Sequence, residues 1–200
     1  MVRKPRRFVA TTDSGHAFPV AHNLLNRQHQ VEVVAGLNRA WAGDITYVPT
    51  AQGWLYVAVV LDLKSRKVIG WSMKDTLEQA LVHEALEMAV GRRLSTEVPE
   101  ALLFHSDRGS QYAAHAYQER LEDWGITCSM SRRGNCWDNA GVESFFATLK
   151  KEEVHREDYV THEQAKASLF CYIEIFYNRQ RRHSALGYVS PHEYEQSLLN

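Results

Sequence analysis

Three carboxylates in this chain sit where a folded sheet could bring them together. Asp44 lies inside an aromatic and β-branched run, Trp41 to Val48, where burying a charged group without a partner is costly. Asp107 ends a second apolar run, and Gly109 just behind it lets the backbone turn sharply into a helix. Glu143 falls in the second turn of a helix that opens near Asp138. At about 100° per residue, Val142, Phe145, Phe146 and Leu149 form that helix's apolar stripe, while Glu143 and Lys150 share its flank about 10 Å apart along the axis. Hard Mg²⁺ or Mn²⁺ prefers carboxylate oxygen, and two such ions about 4 Å apart can activate a hydroxyl and stabilise the leaving oxygen of a phosphodiester. Singly, each of the three also reads as an exposed or helix-capping carboxylate.

The elements that must position them follow from pattern. Trp41 to Val48, Trp54 to Leu63 and Lys67 to Met73 are separated by turn-forming stretches and read as a three-stranded antiparallel meander. A helix capped by Asp75 or Thr76 follows, carrying Leu77, Leu81, Ala85 and Met88 on one face and fading at Gly91. Then come a strand from Ala101 to Asp107, a helix from Ser110 to Trp124 stopped by Gly125, and a short strand from Ile126 to Met130. Ser131 to Asn139 is a polar loop, and the Glu143 helix continues beyond Lys151. A further amphipathic helix spans Thr161 to Asn178, and Ser190-Pro191 opens a last short one.

Composition sets the bounds. Of the 200 residues, 44% are hydrophobic and 24% charged, which suits one globular core with some chain to spare and excludes a disordered polymer. The longest apolar run, Trp54 to Leu61, is far short of a membrane helix, and the Met1 to Arg7 start has no apolar signal core, so a cytoplasmic protein without a membrane partner is expected. Cys128, Cys136 and Cys171 are odd in number and widely spaced, giving neither a disulfide framework nor a zinc pattern. The formal net charge of −1 argues against indiscriminate polyanion binding. Positive charge nevertheless gathers at Arg3 to Arg7, Arg92-Arg93, Arg132-Arg133, Lys150-Lys151 and Arg179 to His183. Each cluster alone is a solvated face; beside acidic metal ligands, such clusters suit DNA contacts.

The spacing carries a resemblance. Thirty-five residues lie between Asp107 and Glu143, and Lys150 follows seven after Glu143. That arrangement resembles the DD(35)E signature, with its trailing basic residue, of retroviral integrases and bacterial insertion-sequence transposases. Four stretches are closer still to the insertion-sequence-three family: Trp41-Ala-Gly-Asp-Ile-Thr-Tyr, His105-Ser-Asp-Arg-Gly-Ser-Gln-Tyr, Ser131-Arg-Arg-Gly-Asn-Cys-Trp-Asp-Asn-Ala-Gly-Val-Glu-Ser-Phe-Phe and Tyr177-Asn-Arg-Gln-Arg-Arg-His-Ser-Ala-Leu-Gly-Tyr. The resemblance implies an α/β, RNase H-like fold of the retroviral integrase catalytic-core type, a mixed five-stranded sheet flanked by helices. Residues 1–38, with little periodicity and punctuated by Pro5 and Pro19, read as an arm or linker of extended chain or short helices, ahead of a catalytic core over 39–160 and a C-terminal helical extension over 161–200. The resemblance makes Asp44, Asp107 and Glu143 the catalytic and metal-binding residues for two Mg²⁺ or Mn²⁺ ions. It puts Lys150 on DNA, with Arg132, Arg133, Asn135, Trp137 and Asn139 as further DNA-contacting candidates; for Asn135, Trp137 and Asn139, loop structure and capping are equally open.

The function so implied is metal-dependent DNA cleavage followed by attack of the freed 3′ hydroxyl on a second phosphodiester. Element ends and target DNA would be the partners, and the chain would assemble with copies of itself on DNA at the nucleoid. Residues 1 to 38 hold neither heptads nor a recognition helix, so a separate upstream-frame helix-turn-helix protein is an expected partner. His16 and His22 have no cysteine pair nearby, which excludes the zinc module of retroviral integrases. A simple RNase H-like nuclease, and a non-catalytic DNA-binding remnant, are the competing readings.

Overall fold

The computed structural model describes residues 16–26, 30, 34–94, 101–132 and 139–199. Strands β1 (Ala40–Thr50), β2 (Gly53–Asp62) and β3 (Val68–Lys74) form the expected antiparallel meander. Helix α1 (Gln79–Arg93) then leads to β4 (Leu103–Ser106), which pairs parallel to β1, and β5 (Thr127–Met130) pairs parallel to β4. The sheet order is β3-β2-β1-β4-β5, five strands and mixed.

Alternation along the strands divides the core into two layers. Ala40, Ala42 and Val48 of β1, with Leu55, Val57, Val59 and Leu61 of β2, face α4 (Ala140–Leu149) and α5 (His162–Phe170). Trp41, Ile45, Ala58 and Val60 point the other way, onto α1, α2 (Ser110–Ala113) and α3 (His115–Asp123). On that second face α1 comes so close that a Cβ on Gly70 of β3 would stand 2.1 Å from the Ala85 carbonyl oxygen. The last helix, α6 (Pro191–Leu199), is opened by Ser190 and Glu193, which cap each other's backbone N–H groups.

Each rim of the sheet is engaged at one end. At β3, the Asn178 side-chain amide accepts from the Val68 N–H at 3.0 Å and donates to the Val68 carbonyl at 2.9 Å, standing in for a neighbouring strand. At β5, the Met130 N–H donates to the His22 carbonyl at 3.4 Å, while Ser129 Oγ accepts from the Leu24 and Leu25 N–H groups.

The helices depart from expectation at several points. The first helix does not start at Asp75 or Thr76: Glu78, extended at ψ 164°, is the N-cap, because Leu77 is used to pack onto the core ahead of the helix. The same helix runs through Gly91 to Arg93, and its buried face is Leu81, Val82, Ala85, Leu86, Ala89 and Val90, with Met88 only half-buried. The single helix expected over Ser110 to Trp124 breaks at Ala114, which is extended at ψ 139°. Tyr112 and Tyr117 explain the break: in one straight helix they would lie about 140° apart, whereas here both rings are buried and meet edge-on at 5.3 Å. Helix α4 passes at Lys150 into a π-helical turn, Lys150–Val154, and α5 does the same over Cys171–Tyr177. Gly125 stops α3 as expected, at φ +63°.

Candidate active site

Strand register brings the two aspartates together. Ala42 of β1 is paired with His105 of the parallel strand β4, so Asp44 and Asp107, each two residues further along, reach the same level on neighbouring chains. Parallel neighbours run about 4.8 Å apart. Asp44 shares the face of Ala42 and Val48, the face on which α4 packs. That face is what brings Glu143 and Lys150 of α4 into the same field of charge.

The electrostatics show the crowding. Burial, the Asp107 carboxylate and the Glu143 carboxylate push the Asp44 carboxyl well above its ordinary range, against the opposing pull of the Ile45 N–H and the Lys150 ammonium. The Ile45 N–H donates to Asp44 Oδ1 at 2.8 Å, and the Gly109 N–H donates to Asp107 Oδ1 at 2.8 Å, which holds each carboxylate by its own backbone. Glu143 is exposed, and partial desolvation still raises its carboxyl. Lys150 stands 5.0 Å from the centre of the Tyr47 ring; desolvation lowers its ammonium and Asp44 counters this. The Tyr47 ring is itself set edge-on to Trp54 at 4.8 Å.

Beneath Asp107 lies a buried polar chain. Ser131 Oγ donates to the Ser106 carbonyl at 3.2 Å and so accepts from His105 Nε2, also at 3.2 Å. His105 Nδ1 then accepts from Ser129 Oγ at 2.9 Å. The serines thereby assign the imidazole its Nε2-protonated tautomer and tie the end of β4 to the segment around Leu24.

Asp44, Asp107, Glu143 and Lys150 therefore converge, but among the described residues no three His, Cys, Asp or Glu side chains are close enough to hold one metal ion as they stand. The donor set is nonetheless all carboxylate oxygen, the set that suits a hard divalent cation, and its mutual repulsion is what such a cation relieves. Arg132 is exposed. Asn139 is buried at the N-cap of α4 without capping it through its side chain. Arg133, Asn135 and Trp137 lie outside the described residues, as do Cys136 and Arg3 to Arg7. The Arg92-Arg93 cluster is engaged in pairing: Arg92 with Glu174 at 2.8 Å, Arg93 with the buried Glu195. One neighbour of the site was not singled out from the sequence. The Tyr112 hydroxyl lies 3.4 Å from where a Cβ on Gly43 would be, and its phenol is pushed far up by burial, Tyr117, Asp44 and Asp107. Its signal was its place five residues after Asp107, one helical turn past the Gly109 bend.

With this geometry in hand, comparison with known proteins is informative. A family model described as integrase core domain matches residues 35–136, just over half the chain. The chain belongs to the integrase core family. A second integrase core domain model matches residues 124–191 of this integrase core chain, reaching the helices that follow α4. Transposase InsF of insertion sequence IS3A from Escherichia coli K12 is 45% identical over 194 residues, which are 97% of this chain and 65% of the relative. A 31 kDa uncharacterized protein of insertion element IS600 from Shigella sonnei is 44% identical over 94% of this chain and 67% of its own length. The integrase core chain thus spans about two thirds of the length of these curated relatives. Among solved structures, the catalytic core domain of BIV integrase matches at TM-score 0.58 and 21% identity, over 81% of this chain and 97% of that one. The HTLV-2 integrase catalytic core, solved in complex with magnesium, matches at TM-score 0.58 and 16% identity over 78% of this chain and 95% of that one. The expected RNase H-like fold is thereby met.

Proposed function

We propose that this integrase core chain is the catalytic part of a DNA transposase, a polynucleotidyl transferase that cuts one strand at an element end and joins the freed 3′ hydroxyl to target DNA. The observation that carries the reading is the alignment of Asp44 on β1 with Asp107 just past the end of the parallel strand β4, and the electrostatic reach of Glu143 and Lys150 to Asp44. Asp44, Asp107 and Glu143 would hold divalent cations, Mg²⁺ or Mn²⁺, most simply two. When bound, such ions supply Lewis-acid polarisation and charge neutralisation at the phosphodiester. The proposal requires the three carboxylates to draw closer together than they lie here.

The chain's own residues do the remaining work. Lys150, anchored over Tyr47, meets a backbone phosphate beside the carboxylates and fixes the strand's position. The Gly109 N–H holds the Asp107 carboxylate, and the His105 chain ties down the strand end that precedes it. Trp41, Phe104 and Tyr112 pack the sheet's other face under the site. Assembly with further copies on DNA, and supply of a recognition module by an upstream-frame protein, belong to the same reading.

The test is strand transfer of a labelled element end with Mg²⁺, read on a gel that separates cut from joined DNA. Asp44→Asn, Asp107→Asn and Glu143→Gln each abolish both products while circular dichroism is unchanged. Cutting without joining by the unmodified chain, in the presence of an upstream frame, would make it a nuclease instead. Near-normal Mg²⁺-dependent activity in any one variant would remove that residue from the set.

Among the described residues, no helix is long and apolar enough to cross a membrane.

A further inference from the structure

His16 has no part in the chemistry above, yet the fold brings it to the turn that carries Asp107, its partner there standing 92 residues further along the chain. Its Nε2 lies 2.8 Å from the Arg108 carbonyl oxygen. The Phe18 N–H donates to its Nδ1 at 3.1 Å, so Nδ1 is the bare nitrogen and Nε2 carries the proton that it gives to Arg108. The imidazole is thereby assigned one tautomer and one directed bond.

The Arg108 carbonyl and the Gly109 N–H are the two ends of one planar peptide group. That N–H is the one that donates to Asp107 Oδ1 at 2.8 Å. A donor held on the carbonyl oxygen polarises the group and strengthens the bond that its N–H makes. It also resists rotation of the whole group, which would carry the N–H away from the carboxylate. Resistance is needed because a glycine forms one side of the hinge: Gly109, at φ −63°, could take the left-handed value that a flipped peptide requires at little cost. On the other side Arg108 is held by its own Nε, which donates to the Ser131 carbonyl at 2.6 Å.

His16 can exert this hold because the segment around it is seated. The Phe18 ring meets His115 of α3 edge-on at 5.9 Å, and Ala21 packs onto the core on that face. Farther along, Leu25 is buried, and the Leu24 and Leu25 N–H groups both rest on Ser129 Oγ. Residues 16–25 thus touch the site at Arg108 and its support at β5. A stretch that reads as an arm in the sequence supplies part of the framework of the active site.

We propose that His16 is a positioning residue for Asp107: by its bond to the Arg108 carbonyl it fixes the peptide group whose N–H holds the carboxylate ready for a divalent cation. This role rests on the reading of Asp107 as a metal ligand. It differs from a plain fastening of the arm in one respect, since it needs the Nε2 donor in particular, whereas a fastening is served by a bond from either ring nitrogen.

The experiment compares His16→Gln and His16→Asn in the full chain. Gln carries an amide N–H₂ at the reach of Nε2 and keeps the donor to Arg108; Asn sets its Oδ1 near the place of Nδ1, keeps the acceptor for Phe18 and loses that donor. Hydrogen exchange of the Gly109 amide in EDTA, read by nuclear magnetic resonance of glycine-labelled protein, should be about five- to tenfold faster in His16→Asn, the worth of one hydrogen bond, and unchanged in His16→Gln. Mn²⁺ binding, read from the electron paramagnetic resonance of the free ion, should weaken about tenfold in His16→Asn and less than about twofold in His16→Gln. Circular dichroism should be the same in all of them. Exchange or Mn²⁺ affinity in His16→Asn equal to that of the unmodified chain would overturn the proposal. Equal losses in His16→Gln and His16→Asn would overturn it too, because they would make the residue a fastening of the arm alone. Asp107→Asn, titrated beside them, separates the two readings. If it binds Mn²⁺ as the unmodified chain does, Asp107 is no ligand and both readings fall; if it loses Mn²⁺ while His16→Asn does not, only the role of His16 falls.

Discussion

Replacing Asp44 by Asn should make the metal-free protein more heat-stable while destroying its proposed chemistry. The Asp44 carboxyl is raised by burial first, then by Asp107 and Glu143, so the folded state prefers it protonated. A carboxyl whose folded pKa lies above its unfolded value favours the fold while both states are protonated. That contribution is lost as pH rises from the unfolded value, near 4, through the folded one. Each unit of upward shift is worth about 1.4 kcal/mol at high pH. In a chain of this size that corresponds to a rise of about 3–6 °C in Tm once the charge is removed. Asn keeps an Oδ1 to accept the Ile45 N–H, so the local fold loses no hydrogen bond. Thermal scans in EDTA at pH 4 and pH 8 check this: the two proteins should melt together at pH 4, and Asp44→Asn should melt higher at pH 8. Mg²⁺ should then raise the Tm of the unmodified protein more than that of the variant. A lower Tm for Asp44→Asn at pH 8, or a gain equal at both pH values, would refute the account of Asp44 as a group destabilised by its neighbours.

Lys150→Ala should lower the salt slope of duplex DNA binding by about one unit and reduce strand transfer without abolishing it, read by titration at several salt concentrations. The same change removes the ammonium over Tyr47, a contact worth about 1 kcal/mol, which denaturant unfolding would register. Gly70→Ala should cost about 3 kcal/mol or more, because its Cβ would press on the Ala85 carbonyl and force α1 off the sheet; chemical denaturation measures it. Because the folded His183 stays neutral down to about pH 4 and an unfolded histidine protonates near 6.5, stability should fall as pH drops through that window. With its part-exposed ring discounted for solvent screening, the loss is on the order of 1–2 kcal/mol, and His183→Gln should flatten that part of the profile.

The strands were legible because β-branched and aromatic residues occupy them and turns punctuate them, and Asp44 stood out as a charge inside such a run. The Val142, Phe145, Phe146 and Leu149 stripe likewise set α4 on the sheet with Glu143 at its side. Leu77 shows where local pattern gives out: it continues the helical spacing of Leu81 and Ala85, yet the chain uses it as an anchor before the helix begins. Ala114 carries no breaking signal at all; the demand that Tyr112 and Tyr117 both face inward arises only when the sheet is present. The serine pair around His105 was invisible for the same reason, since Ser129 and Ser131 come from beyond another helix, whereas Tyr112 had its spacing from Asp107 as a signal that went unused. The pairing of Arg92 and Arg93 with Glu174 and Glu195, across roughly a hundred residues, turned a cluster that resembled a DNA contact into a brace between α1 and the C-terminal helices.

The contacts at the two ends of the sheet's rims bear on how such a protein survives crowding. A bare outer strand is a template for any other chain in extended form. Here the amide of Asn178 already satisfies Val68 on one side, and the segment around His22 to Leu25 lies along β5 on the other. At those two points an extended neighbour finds the outward backbone groups already taken, which shortens the stretch of edge open to strand addition.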